Sequence, residues 1–374
     1  MKGRLGIVFL IFFLLFSLGG CLGKADNQQD LSFSRSEVVE KAADREGKAF
    51  GIEQGEKAQP GQKEAEKKAA RGSKEEKERE AKKREVLPSS GVKEEKARLI
   101  ITCYFGKKVL LDREVFFREG ASVMEVLKAN AEVKTAYGGG FVSGINGVES
   151  RKGLKSEDWF YYVNGICAEM GAVEKKVNPG DVIWWDYHSW KAGIANTAVI
   201  GAYPEPFRHG YNGKVKPVKL IFTPSCREIA EKLEAYLLGA GVKEVVREEW
   251  AGDMGVSRSV PVIIIGEWEE LQKADYLNRL NQAYARNGMG FYWGEEGLYL
   301  LNYEGKKMML HKEEAAVLGA CGSGLGDTSP LWLITGTDRE SIAGLVEMLA
   351  VPDKIKYMYA AAFIKGELIR LPLD

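Results

Sequence analysis

The sequence predicts an α+β domain of β-grasp-like type, then an α/β three-layer domain with a mainly parallel sheet, both carried on a disordered, charged N-terminal tether. Three observations lead there. Residues 97–190 read as a β-hairpin, a helix and further strands, the order expected when one helix covers one face of a small sheet. Residues 217–374 alternate short apolar runs, such as VPVIIIG (260–266) and LWLIT (331–335), with helical segments, as strands buried on both faces do. Residues 21–96 are rich in Lys, Glu, Ala, Gln and Gly and poor in aromatics, so they cannot bury a core. The 374 residues allow two domains of ordinary size. A net charge of +0 argues against nucleic acid as a partner, and 3 His among 374 residues argue against a histidine-rich metal site.

Taken in order, residues 1–20 form an export signal. Lys2 and Arg4 give the positive start, and Ile7–Leu18 is an apolar run too short for an ordinary spanning helix. It ends in Leu18-Gly19-Gly20-Cys21, which resembles a bacterial lipobox. The resemblance implies that Cys21 is lipidated and anchors the chain to the extracytoplasmic face of the cell membrane. Within the tether, Lys63–Glu85 alternates charges without an apolar stripe, as a solvated spacer does.

The first domain, 97–195, opens with the strand Ala97–Phe105, a turn at Gly106-Lys107-Lys108 and a returning strand, Val109–Phe117. Ser122, with Glu125 three residues on, caps a helix through Ala131. Phe141–Ile145 is a short strand ended by Asn146-Gly147. Then comes WFYYVNGICAEMGAVEKKVNPGDVIWWDYHSW, 159–190, with two aromatic strands and turns at Asn164-Gly165 and Pro179-Gly180-Asp181. Trp159, Tyr161 and Val163 share one face of their strand, and Phe160 and Tyr162 the other. On the later strand Trp184 and Asp186 share one side, Trp185 and Tyr187 the other. Two aromatic faces exceed what one helix can cover, so the surplus must meet a ligand, another domain or a membrane.

The motifs FVSGINGVES, Trp159 and GAVEKKVNPGDVIWWDY together resemble the C-terminal domain of transcobalamin and intrinsic factor, and its bacterial transcobalamin-like relatives, over roughly Ala97–Trp190. In the vertebrate carriers this domain closes over one face of cobalamin with apolar side chains, and a toroid of helical pairs holds the other. Matched by position, the resemblance implies ligand contacts at Val142, Tyr161, Met170 and Val177. Trp184 joins them from the surplus of rings. The toroid and its cobalt-binding histidine have no counterpart in this chain. His188, after the last strand, is the candidate replacement at the metal.

Residues 196–216 read as an ordered bridge, packed by Tyr203, Phe207 and Tyr211. The second domain, 217–374, is expected to hold strands at Val218–Thr223, Val242–Arg247, Val260–Gly266 and Leu331–Thr335. Helices are expected from Pro224 to Leu238, over Glu267–Asn287, and over Asp338–Leu349 under an Asp338 cap. Hairpins are expected at Gly297–Met308 and Lys356–Leu371. The loop Gly319–Pro330, GACGSGLGDTSP, is rich enough in glycine to cradle an anion with its amides. It follows neither phosphate-binding nor dinucleotide patterns. Gly322, Ser323 and Gly324 are therefore placed as a second ligand wall.

No nucleophile elbow, His–carboxylate pair or metal-ligand cluster emerges, so no catalytic cofactor is expected. Export permits disulfides, and a Cys103–Cys167 bridge is geometrically possible within one small sheet, although an anaerobe would keep the thiols reduced. The reading is a surface lipoprotein that binds a corrinoid of cobalamin type for a membrane transporter. A non-catalytic surface interaction or structural module is the alternative from another class. A cell-wall hydrolase is a third, against which the missing catalytic set weighs.

Overall fold

In a computed structural model of the chain, residues 94–151, 156–190, 196–252 and 258–374 are described. The signal, Cys21 and nearly all of the tether lie outside them. Among the described residues no helix is long and apolar enough to cross a membrane.

The first sheet contains β1 (Glu94–Cys103) and β2 (Lys108–Arg118), followed by helix α1 (Val123–Asn130). A small ladder of β3 (Val133–Ala136), β4 (Phe141–Ile145) and β5 (Val148–Glu149) comes next. Then β6 (Glu157–Val163), β7 (Ile166–Cys167) and β8 (Val182–Ser189) complete the sheet in the order β2-β1-β8-β6-β7. β1 runs antiparallel to β2 and parallel to β8. Thus β1 takes in Glu94–Lys96, which the sequence assigned to the tether. α1 begins as expected, with Ser122 and Glu125 in a reciprocal capping box. Val123, Met124, Val126 and Leu127 pack into one core with Leu99, Ile101, Val142, Ile145, Trp185 and Tyr187.

The β1–β2 turn falls earlier than expected, with positive φ at Tyr104, Phe105 and Gly106. Gly106 is obligatory there: a Cβ on it would lie 1.9 Å from the Tyr357 carbonyl oxygen, so the second region's backbone presses directly on this turn.

The second sheet contains β9 (Val218–Phe222), α2 (Arg227–Gly239), β10 (Val245–Glu249) and β11 (Val262–Glu267). Two short helices follow, α3 (Trp268–Leu271) and α4 (Asp275–Gln282), then a meander of β12 (Phe291–Gly294), β13 (Gly297–Leu301) and β14 (Lys307–His311). β15 (Ala315–Cys321), β16 (Leu331–Gly336), α5 (Arg339–Met348), β17 (Ala360–Ile364) and β18 (Glu367–Leu371) close the chain. The order is β10-β9-β11-β16-β15-β17-β18. One face packs on α2 and α5 through Ile229, Leu233, Ile342 and Leu345. The other packs on α3, α4 and the meander through Trp268, Leu277, Phe291 and Leu300.

Three expectations change. The sheet is mixed: β10, β9, β11 and β16 run parallel, but β15, β17 and β18 join antiparallel. The links β15–β16 and β17–β18 are too short for a crossover helix, whereas α5 lies between β16 and β17. The long helix over Glu267–Asn287 breaks at Ala274, whose backbone is extended. The break turns Asn281 toward Trp293, where its side-chain amide bonds both backbone groups, at 2.7 and 2.9 Å. Finally, Gly319, Ala320 and Cys321 belong to the fully buried strand β15 and not to the glycine-rich loop. Gly319 lacks a side chain because Phe291 and Met289 fill that space. The Asp338 cap on α5 holds, accepting from the Ser341 amide at 2.8 Å.

Candidate functional site

The register of β6 against β8 pairs Trp159 with Tyr187, Tyr161 with Trp185, Tyr162 with Trp184 and Phe160 with Asp186. Each pair sits on one face of the sheet. Trp159, Trp185 and Tyr187 turn to α1. Tyr162 and Trp184 turn the other way, into a cluster with Ile100, Phe105, Val199 and Tyr359. The surplus of rings is thus met by the second region, through Tyr359.

Tyr359 stands nearly perpendicular to the rings of Phe105, Tyr162, Trp184 and His188, at centroid distances of 5.3–5.7 Å. This is the edge-to-face arrangement that ring quadrupoles favour. Beneath it lies Asp186, fully buried. Its carboxylate accepts from the Phe105 and Gly106 amides at 3.0 Å each, from the Thr102 hydroxyl, and from the Tyr359 hydroxyl at 3.2 Å. His188 Nδ1 lies 2.8 Å from the same carboxylate. Thr102 Oγ1 also accepts from the Trp184 indole at 2.7 Å. Burial and the Asp186 charge push the Tyr359 hydroxyl well above its ordinary pKa, so it stays a donor.

His188 is therefore part of the contact between the sheets. Its imidazole has no exposed surface and stacks on Phe160 at 4.2 Å. Among the described residues no three His, Cys, Asp or Glu side chains gather as a metal-binding group. Trp184 is likewise fully enclosed. Val142 and Val177, each 5% exposed, are core residues beside α1.

Tyr161 and Met170 are placed differently. Tyr161 stacks on Trp185 at 4.8 Å and donates its hydroxyl to the Met170 carbonyl at 2.5 Å. Met170 and Val173 are exposed. Their loop is anchored by Lys175, whose buried ammonium lies 3.4 Å from Glu169 and 3.5 Å over the Tyr211 ring. The Tyr211 hydroxyl also donates to Glu169. Burial raises the Glu169 pKa, but the Tyr211 and Lys175 contacts outweigh it and hold the carboxyl below its ordinary range. Burial lowers Lys175 against the pull of Glu169.

The loop that follows β15 meets this anchor. The Gly326 amide donates to the Cys167 carbonyl at 2.8 Å, and a Cβ on Gly326 would collide with the Glu169 side chain. The Gly322 amide donates to Thr197 Oγ1 at 2.7 Å. The two walls proposed from sequence, Met170 in one region and Gly322–Gly324 in the other, therefore lie on loops that touch.

The loop's amides do not form a free anion cradle. Asp327 already accepts from the Ser323 amide and hydroxyl and from the Ser329 amide, at 2.7–2.9 Å. A carboxylate of the loop itself occupies the position an anion would take, and Arg258 balances it at 3.6 Å. Exposed Leu325 at the tip gives this wall apolar surface instead.

The four described cysteines are free. Cys103 packs on the α1 side and Cys167 against the Tyr359 cluster, so opposite sheet faces separate them. Burial pushes their thiols up to about 11 and about 12, away from thiolate chemistry.

A further cleft, of about 410 Å³, opens between β1, the bridge and the segment before β17. Arg98, Arg208, His209 and Lys356 line it, and none of the ligand contacts predicted from sequence does. Asp112 lies at its margin and clips the regions together: Arg98 reaches it at 2.6 Å, Lys356 at 2.5 Å, and the Tyr357 hydroxyl donates to it. Sequence reasoning missed Tyr359, Asp186 and Asp112. Asp186 carried a signal, a carboxylate inside the aromatic run WWDY, which is costly to bury without several donors.

A family model described as a domain of unknown function, DUF4430, matches residues 120–189. No curated protein matches the chain. Among solved structures, haptocorrin in complex with Cbi is similar at 11% identity and a TM-score of 0.24, over 28% of this chain and 27% of haptocorrin. A protein of Ruminococcus gnavus, described as a candidate metal-binding protein, is similar at 15% identity and a TM-score of 0.21, over 25% of this chain and 97% of its own.

Proposed function

We propose that this chain is a lipid-anchored protein of the extracytoplasmic face that binds a corrinoid of cobalamin type and passes it to a membrane transporter, without catalysing a reaction. The export signal and Cys21 support the anchoring. The transcobalamin-like motifs support the ligand class. The observation that carries the binding site is the Gly326–Cys167 hydrogen bond of 2.8 Å. It sets the Met170 loop beside the Gly322–Asp327 loop and gives a binding face two sides.

Such a face suits a flat macrocycle flanked by amides. Tyr161, Met170, Val173 and Leu325 offer ring and aliphatic contact, and loop carbonyls and hydroxyls offer hydrogen bonds. The Tyr161 ring is stacked and tied through its hydroxyl before any ligand arrives, so little side-chain freedom is lost on binding. The test is titration of the full chain with cobalamin and with cobinamide, following heat and the corrin absorption band. Saturable binding that weakens in Tyr161→Ala supports the reading. No binding of either ligand at high micromolar concentration removes it.

One observation favours a second reading, a structural module. Val142, Val177 and Trp184 are all enclosed within the protein's own packing. On this reading the first sheet exists to pack on the second. The titration then shows nothing, while disruption of the Tyr359 cluster still unfolds the chain.

A further inference from the structure

The meander β12-β13-β14 carries rings on the face turned away from the core. Phe291 and Leu300 pair across the strands and point inward. Their neighbours Tyr292 and Tyr299 pair on the outer face, and Leu310, 36% exposed, continues the row opposite Tyr299. Gly294 leaves room for this pair: a Cβ there would lie 3.0 Å from the Tyr299 ring and 3.1 Å from the Tyr292 ring. Tyr284, from the segment after α4, adds a third ring 4.4 Å from Tyr292.

These rings converge on one cation. The Lys307 ammonium lies 4.1 Å from the Tyr292 centroid, 4.8 Å from Tyr299 and 5.4 Å from Tyr284. Among the described residues it makes no ion pair and no side-chain hydrogen bond, so its three N–H donors face rings or water. At the rim the Tyr299 hydroxyl donates to Glu296 at 2.6 Å, which brings a carboxylate to the site.

An ammonium is a compact, strongly hydrated ion, and an aromatic face offers its N–H donors no oxygen acceptor. A quaternary ammonium has no N–H to satisfy and presents its charge through methyl groups, which aromatic faces accept directly. We propose that Tyr284, Tyr292 and Tyr299 form an aromatic cage for a quaternary ammonium group, with Lys307 as an internal competitor for the same position. This site is separate from the corrinoid face and stands or falls apart from it.

The test is calorimetric titration of the full chain with choline and with its neutral tert-butyl analogue. Choline binds and the analogue does not. Lys307→Ala tightens choline binding, by about five-fold if the competing contact is worth about 1 kcal/mol. Tyr292→Leu weakens it by a similar factor, while Tyr292→Phe, which keeps the ring, preserves it. Should Tyr292→Leu fail to fold, Tyr284→Leu at the cage edge reads the same loss. Vesicles of phosphatidylcholine compared with phosphatidylglycerol tell a lipid headgroup from a free ligand. Absence of choline binding in both the natural chain and Lys307→Ala overturns the proposal, as does equal binding of the neutral analogue.

Discussion

Where Tyr359 meets the first sheet, both oxygens of Asp186 are fully engaged, and four rings stand around the Tyr359 ring. Where Gly326 meets Cys167, one backbone hydrogen bond joins the loop after β15 to the end of β7, with Met170 and Leu325 exposed beside it. Both places join the same two regions. The first is enclosed and fully paired, as a core is. The second is open and apolar at its edge, as a binding face is. The difference separates the residues that hold the two regions together from those that stay exposed beside them.

The comparison breaks most visibly at Asp186. Asp186→Ala leaves two amides, two hydroxyls and His188 without their acceptor inside the protein. The expected loss is about 3–5 kcal/mol of stability in denaturant unfolding. A loss under about 1 kcal/mol would mean that the Tyr359 contact is not the clamp described.

Asp112 gives a pH-dependent effect. Burial alone would raise its pKa, but hydrogen bonds from Arg98, Lys356 and Tyr357 outweigh that and hold it at about 2, from an ordinary 3.8. A folded-state pKa below the unfolded one means that its stabilisation is fully present above 3.8 and is lost as pH falls through about 2. Asp112→Asn is expected to cost about 1.5–3 kcal/mol near neutrality. Its stability curve should converge with that of the natural chain across that acid window. Parallel curves would show that the clip does not titrate.

A smaller effect tests the open side. Gly326→Ala puts a Cβ where Glu169 stands, at positive φ, and should cost about 1–2 kcal/mol while loosening the junction. Gly324→Ala, with nothing near its Cβ, should stay within about 0.5 kcal/mol. Equal effects at the two glycines would mean that the loops do not depend on each other.

Much of this was legible in the residues. Ser122 and Glu125 announced the helix cap. Asn164-Gly165 announced its turn, where both residues take positive φ. The alternation along WFYYV and VIWWDY gave the two sheet faces and a surplus of rings. What covered that surplus was not legible, because Tyr359 lies 173 residues from Asp186 and no local period links them. β15 escaped because glycines in Gly319–Gly326 read as one loop, although Gly319 is a packing glycine in a strand. The contacts inferred by position divided for a similar reason. A position in a motif does not say which way its side chain points, so Val142 and Val177 fall in the core while Met170 is exposed and Tyr161 is tied to its carbonyl.

The most direct measurement is a double-mutant cycle on corrinoid binding by the full chain, with Met170→Ala, Leu325→Ala and the pair, titrated with cobinamide. If the two loops form one binding face, each single change weakens binding and the pair departs from additivity. If Leu325→Ala leaves the affinity unchanged while Met170→Ala reduces it, the second region is no wall. If neither change matters, the junction is not where the ligand sits.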